Sequence, residues 1–176
     1  MKAKLPLINI LVVFTAILCL FISCGSSVNA KSTYEEKVYV QAGKTITVSR
    51  EQYASTKEDI QHFIERLNQA IKRKDYNAWK AALSSEYFQK ISSPENLQQL
   101  SELPAMKTRK IILKTAEDYF MNVVVPSRAN SKVDDIEFIG ENRVKAFTVM
   151  VNAAGEEQRL RLYDLEKTGN IWKIID

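Results

Sequence analysis

Cys24 stands at the end of an apolar run, Leu5 to Ile22, with Lys2 and Lys4 ahead of the run and Phe21-Ile22-Ser23 directly before the thiol. A charged start, an apolar middle and a small residue before a cleavage point are the parts of a secretory signal, so the run is expected to address the chain for export. Cys19, the other cysteine, follows the bulky Leu18 and is a poor competitor. With Cys19 leaving in the signal, the exported part is expected to have no disulfide. Other chemistry-bearing residues are sparse. His62 is the single histidine, and without a second His or a Cys it cannot build a zinc site of the usual kind, so a helix-surface residue is expected and no metal. No Ser-His-Asp or Cys-His arrangement and no Gly-rich phosphate loop is present, the five glycines all being isolated. Neither a catalytic residue nor a cofactor is therefore assigned. Acid–base chemistry by a carboxylate and a tyrosine would have to draft Asp118 beside Tyr119, or Asp134 and Asp135, each of which has a simpler place on a solvated helix face or strand edge. Arg128 and Lys132, in the stretch Ser127 to Lys132, can hold an anion or merely belong to a solvated connector.

The segment before Cys24 resembles the signal of bacterial lipoproteins, whose lipobox sets an aliphatic residue and two small or aliphatic residues before a cysteine that becomes the lipidated N-terminus. Phe21 departs from the Leu most common in that motif, and Ser23 fits it. The resemblance implies a signal at residues 1–23, a membrane anchor at Cys24 carrying fatty acyl chains such as palmitate, and a domain outside the cytoplasm in the cell envelope. Several chains hold firmly because each buried methylene contributes about 0.8 kcal/mol. Two rivals are cleavage after Val28-Asn29-Ala30 and an uncleaved span, the latter weakened by Pro6 and Asn9. Removing 23 of 176 residues leaves 153, enough for one domain with a core. The full-length net charge of +4 falls to +2 with Lys2 and Lys4 gone, and it is spread along the chain, so no nucleic-acid partner is expected.

The elements that must position these residues follow from period and punctuation. Residues 24–34 are small and polar and read as a flexible tether. Val38 and Val40, then Ile46 and Val48, alternate on either side of Ala42-Gly43 and predict a short β-hairpin over 35–50. Ser55 with Glu58 offers a capping box for a first helix whose Ile60, Phe63, Ile64, Leu67 and Ile71 recur at helical spacing, ending at Lys72-Arg73-Lys74. Asp75 can cap a second helix carrying Tyr76, Trp79, Leu83 and Tyr87. Ser93-Pro94 starts a third, which Pro104 stops. From Thr108 to about Val124, Ile112, Ala116, Tyr119, Phe120 and Val123 suggest a fourth, closed by Pro126. The last third turns to period two: Val133 to Ile139, Arg143 to Asn152, Gln158 to Lys167 and Ile171 to Ile175 predict four antiparallel strands in consecutive order. The apolar phase slips from Leu160 and Leu162 to Tyr163 and Leu165, which calls for a β-bulge near Tyr163-Asp164. The fold class is therefore α+β, with helices packed on a curved antiparallel sheet of about four C-terminal strands.

Ala70-Ile71-Lys72-Arg73-Lys74-Asp75-Tyr76-Asn77-Ala78-Trp79, with Leu83 and Tyr87-Phe88 behind it, resembles the opening of nuclear transport factor 2-like domains, a group that includes polyketide cyclase and ketosteroid isomerase relatives. Gly169-Asn170-Ile171-Trp172-Lys173-Ile174 resembles their closing strand. The likeness covers about residues 57–176 and implies a domain, taken here as 55–176, in which a bent sheet wraps helices into a cone, often with a central pocket and often dimeric. The helix after Pro94 and the N-terminal hairpin depart from the pattern. Tyr76, Trp79, Tyr87, Phe88, Tyr119, Phe120, Phe147 and Trp172 can line such a cone, or can simply fill it as a core. Fold does not give function. The expected role is a lipid-anchored envelope module that binds a protein partner or a small apolar ligand, or serves structurally, without catalysis. A cyclase- or isomerase-like enzyme using a buried Asp and Tyr, and a lipid carrier, are the alternatives.

Overall fold

Ser49, not Ser55, opens the first helix. In the computed structural model, which describes residues 37–41 and 44–176, the Ser49 hydroxyl accepts from Gln52 N at 3.1 Å and α1 runs Arg50–Lys72. Ser55 is an exposed residue inside that helix, and Ser49-x-x-Gln52 carries the same start signal earlier in the chain. The added turn is held by tertiary contacts, because Tyr53 packs against the core and its hydroxyl donates to Asp135 Oδ1. Residues 1–36, with Cys24, the signal and the tether, and the hairpin turn Ala42-Gly43 lie outside the described residues. β1 (Lys37–Gln41) and β2 (Lys44–Val48) pair antiparallel as a separate two-stranded sheet beside β3 (Asp135–Gly140).

Asp75 caps α2 (Tyr76–Ala81) as expected, its carboxylate accepting from Ala78 N at 3.0 Å. The helix does not extend to Tyr87. Residues 82–84 instead lie along the edge of β6 (Ile171–Ile174), with Ser84 N donating to Ile174 O at 2.8 Å and Ile174 N to Ala82 O at 2.9 Å. The exposed edge of a sheet needs partners, and here the chain gives up a helical turn to cover it. Ser84 then caps α3 (Ser85–Ser92), and Ser93 caps α4 (Pro94–Ser101). Pro104 begins a helix rather than only ending one, occupying the first turn of α5 (Pro104–Thr108).

The fourth predicted helix starts late. Thr115 and Asp118 form a capping box for α6 (Ala116–Tyr119), which passes through a π-helical turn (Phe120–Val124) into α7 (Val125–Arg128). Ile112 is therefore an exposed loop residue, whereas Leu113 is buried and donates its N–H to Ser101 Oγ at 2.9 Å. Pro126 does not close the helix. The π turn carries Val125 N–H to Phe120 O, and Asn122 O, which residue 126 would serve in a regular helix, accepts from Arg109 Nη1 at 3.4 Å.

β3, β4 (Arg143–Val151), β5 (Glu157–Thr168) and β6 form an open antiparallel meander in that order, at the turns the sequence predicts. Ala146 pairs with Tyr163 and Phe147 with Arg161, so Leu162 is the extra residue of a bulge one position before the expected one. Leu160 is consequently exposed while Tyr163 and Leu165 are buried, and the strand bends. A second irregularity lies in β3 between Phe138 and Gly140. The helices bury Ile60, Ile64, Ile71 and Phe120 against Ile136, Val144, Leu165 and Ile174 of the sheet, which is the α+β arrangement the period change predicts.

Candidate functional site

Trp79 anchors the aromatic residues. Its ring centroid lies 4.9 Å from Phe120, 5.7 Å from Tyr76 and 6.2 Å from Tyr119, all tilted, so the rings pack on one another between helices and sheet. Phe120 is the fully buried member of this layer. In front of it, a cleft of about 260 Å³ opens between three elements. The α2–α3 region contributes Trp79, Leu83 and Tyr87; the helical run from α6 to α7 contributes Tyr119, Val124 and Arg128; the end of the sheet contributes Arg161, Leu162, Tyr163, Ile174 and Asp176.

Each polar group arrives by a local rule. Tyr87 sits in the first turn of the Ser84-capped α3, Tyr119 ends the Thr115-capped α6, and Arg128 is the last residue of the helix that the π turn carries past Pro126. Tyr163 faces inward because the Leu162 bulge restores the inner phase of β5. Of the expected lining residues, Trp79, Tyr87 and Tyr119 thus share the cleft. Phe147 lies on the outer face of the sheet beneath Arg159, whose guanidinium carbon is 4.1 Å from the ring centroid. Trp172 lines a different and more open groove between the end of α1, α2 and β6, and Lys167 Nζ lies 5.4 Å from its ring centroid.

The cleft holds three phenols, the guanidiniums of Arg128 and Arg161 and the Asp176 carboxylate. Burial pushes the hydroxyls of Tyr87, Tyr119 and Tyr163 above the ordinary tyrosine value, and the Arg128 charge opposes that rise at all three. They are hydrogen-bonding groups at neutral pH, not bases. Arg128 lies with its guanidinium carbon 5.3 Å from the Tyr163 ring centroid and forms no ion pair among the described residues. Tyr163 is 8% exposed, and its hydroxyl is buried without a hydrogen-bond partner. The nearby Ser131 hydroxyl gives its own proton to Arg128 O at 3.1 Å, which leaves its oxygen as a neighbouring acceptor although no full hydrogen bond to Tyr163 is formed. Asp176 is the single carboxylate in the cleft wall, and Lys90, at 2.8 Å, and Arg161 pull it below the usual carboxylate range. Arg161 is in turn shared between Asp176 and Asp164.

The other drafted residues serve structure. Asp118 accepts from Lys114 N and Thr115 N, both at 2.9 Å, and these bonds hold its carboxyl below the ordinary range. Asp134 is bound by Lys132 at 2.8 Å, Val149 N at 2.9 Å and Thr148 Oγ1 at 3.1 Å. Arg128 and Lys132 therefore do not act together: Lys132 is exposed and paired, and Arg128 alone enters the cleft. His62 is exposed between Glu58 and Glu65 on α1, as a helix-surface residue should be. Asp135 joins Tyr53 to Arg159 at 2.8 Å, an assembly that spacing along the chain did not suggest. Tyr163 and Asp176 were not read as site residues either. The phase slip in β5 was the available signal for Tyr163, since it shows which side of the strand must turn inward.

Fold and cleft together define an α+β domain with an open meander sheet and a small phenol-lined site. The chain is 34% identical over 148 residues to an uncharacterized lipoprotein of Treponema pallidum (strain Nichols), covering 84% of this chain and 75% of that protein, and it belongs to that lipoprotein's family. No family model matches the chain, and no solved structure matches it. Among the described residues no helix is long and apolar enough to cross a membrane.

Proposed function

We propose that the protein is a lipid-anchored envelope module, tethered through Cys24, whose domain of nuclear transport factor 2-like descent binds a small ligand without transforming it. Membership in a lipoprotein family supports the anchor, and the cleft supports the binding role. The observation that carries the reading is the convergence of Tyr87, Tyr119, Tyr163 and Arg128 on one cleft beside Trp79, Leu83 and Ile174, with one buried hydroxyl lacking a full hydrogen bond among the described residues. Small-molecule sites are built in this way, from apolar surface and a few placed polar groups. An acid–base enzyme would need a carboxylate raised toward neutrality in the cleft; Asp176 is shifted the opposite way, and Asp164, which burial raises, is held on Arg161 outside the lining. A carrier for long acyl chains would need an apolar channel, whereas the Trp79–Phe120 layer fills the interior behind the cleft.

The test is native mass spectrometry of the full chain released from envelope in mild detergent, which reads bound mass and oligomeric state together. A reproducible adduct that disappears from a Tyr163→Phe, Arg128→Gln variant is the expected result. An apoprotein mass from every preparation, with no small molecule retained in any binding assay, would refute the binding role.

A further inference from the structure

The charge balance of the cleft is uneven in a way that selects a ligand. Asp176 is neutralised by Lys90 and Arg161, and Arg161 is also held by Asp164 at 2.8 Å, so these groups compensate one another. Arg128 has no such partner among the described residues, and only the Tyr163 ring lies against it. Beside it, the buried Tyr163 hydroxyl makes no full hydrogen bond among the described residues, with only the Ser131 hydroxyl nearby. A buried donor without a partner is costly, and a guanidinium binds carboxylates more strongly than neutral acceptors. Around these two groups the wall is mixed, with Trp79, Leu83, Val124, Leu162 and Ile174 giving its apolar part and Tyr87 and Tyr119 adding phenols. The volume of about 260 Å³ equals roughly nine waters of liquid, which suits a ring or short chain carrying one acidic group.

We propose that the cleft is a receptor site for a small carboxylate with a short apolar body, Arg128 supplying the charge and the Tyr163 hydroxyl a hydrogen bond. One cation without an ion-pair partner among the described residues matches a monoanion, and the Trp79, Leu83, Val124 and Ile174 side of the wall matches a short apolar body. This rests on the binding reading above and narrows it to a ligand class. No bond is made or broken in the ligand.

The experiment is equilibrium dialysis of benzoate and of its neutral isostere benzamide against the full lipidated chain in nanodiscs, with empty nanodiscs subtracted. Benzoate is expected to be retained at least tenfold more strongly than benzamide. Arg128→Gln should remove that preference, Arg128→Lys should keep it within several-fold, and Tyr163→Phe should weaken benzoate several-fold. Arg66→Gln, in the separate groove beside Trp172, should change nothing. Thermal unfolding of each variant shows that it is folded. Equal retention of the two probes, or an Arg128→Gln variant that still prefers benzoate, overturns the proposal. Retention of benzamide without benzoate overturns the anion specificity while leaving the binding module standing. Retention of neither, together with an apoprotein mass in the native spectrum, removes both.

Discussion

Replacing Tyr163 by Phe should make the free protein more stable, which is the opposite of what a buried substitution usually does. The ring of Tyr163 is packed in the core and stays, including its place against Arg128. What goes is a hydroxyl that is buried and has no hydrogen-bond partner among the described residues. An unsatisfied buried polar group costs about 1–3 kcal/mol. Taking the lower end, because Ser131 lies close enough to soften the penalty, the expected gain is about 1 kcal/mol. For a domain of this size that is a rise in Tm of about 3 °C, or about 0.5 M in the urea midpoint at a slope near 2 kcal/mol/M. The assay is urea unfolding of the full chain in detergent, compared at equal slope. Tyr53→Phe provides the opposite sign: that hydroxyl donates to the Asp135 carboxylate, so its loss should cost about 1–2 kcal/mol. If Tyr163→Phe proves less stable than the parent, the hydroxyl has a partner, and the argument that it awaits a ligand acceptor fails. Gaining stability while losing a ligand is the trade-off expected where a group is kept for binding.

Other outcomes follow from the same structure. Phe120→Ala should cost about 3–5 kcal/mol, because Phe120 is fully buried and its ring contacts Tyr76 and Trp79; a loss under 1 kcal/mol by chemical unfolding would show that the layer is not packed as described. Asp118→Asn should flatten the acid limb of the stability curve. The Lys114 and Thr115 amides depress the Asp118 pKa, so its contribution is present above the unfolded value near 3.9 and is lost as pH falls through the lower folded value; an unchanged profile between about pH 5 and pH 2 would contradict this. Cys24→Ser should abolish acylation and release the protein from the membrane fraction, and a variant that fractionates like the parent would defeat the anchor.

Much of the fold was legible because it rests on short-range chemistry. Asp75, Ser93 and Thr115 cap helices through their own side chains, and Gly169, with φ of 59°, takes the turn between β5 and β6 that the pattern marks. Period-two alternation located the four strands, and the slip from Leu162 to Tyr163 announced a bulge within one residue of where it lies. The misplaced helix limits have tertiary causes. The first helix reaches back to Ser49 because Tyr53 finds Asp135 across the molecule, and the second stops at Ala81 because residues 82–84 are needed along β6. The rule for regular helices makes Pro126 a terminator, and the π turn with Arg109 lifts that rule.

The candidate site was legible only in part, for the same reason. The sequence determined which residues are aromatic, which elements carry them, and that Cys24 follows an apolar run with lysines ahead of it. It could not determine which rings face one another, since Tyr87, Tyr119 and Tyr163 lie on a helix, a helix end and a strand that meet only after folding. Tertiary structure alone decided that Trp172 and Phe147 stand elsewhere, that Lys132 is tied to Asp134, and that Arg128 remains uncompensated beside a buried hydroxyl. Periodicity fixes the face of an element on which a side chain lies, whereas a site depends on the packing of one face against another, and that is set by contacts between residues far apart in the chain.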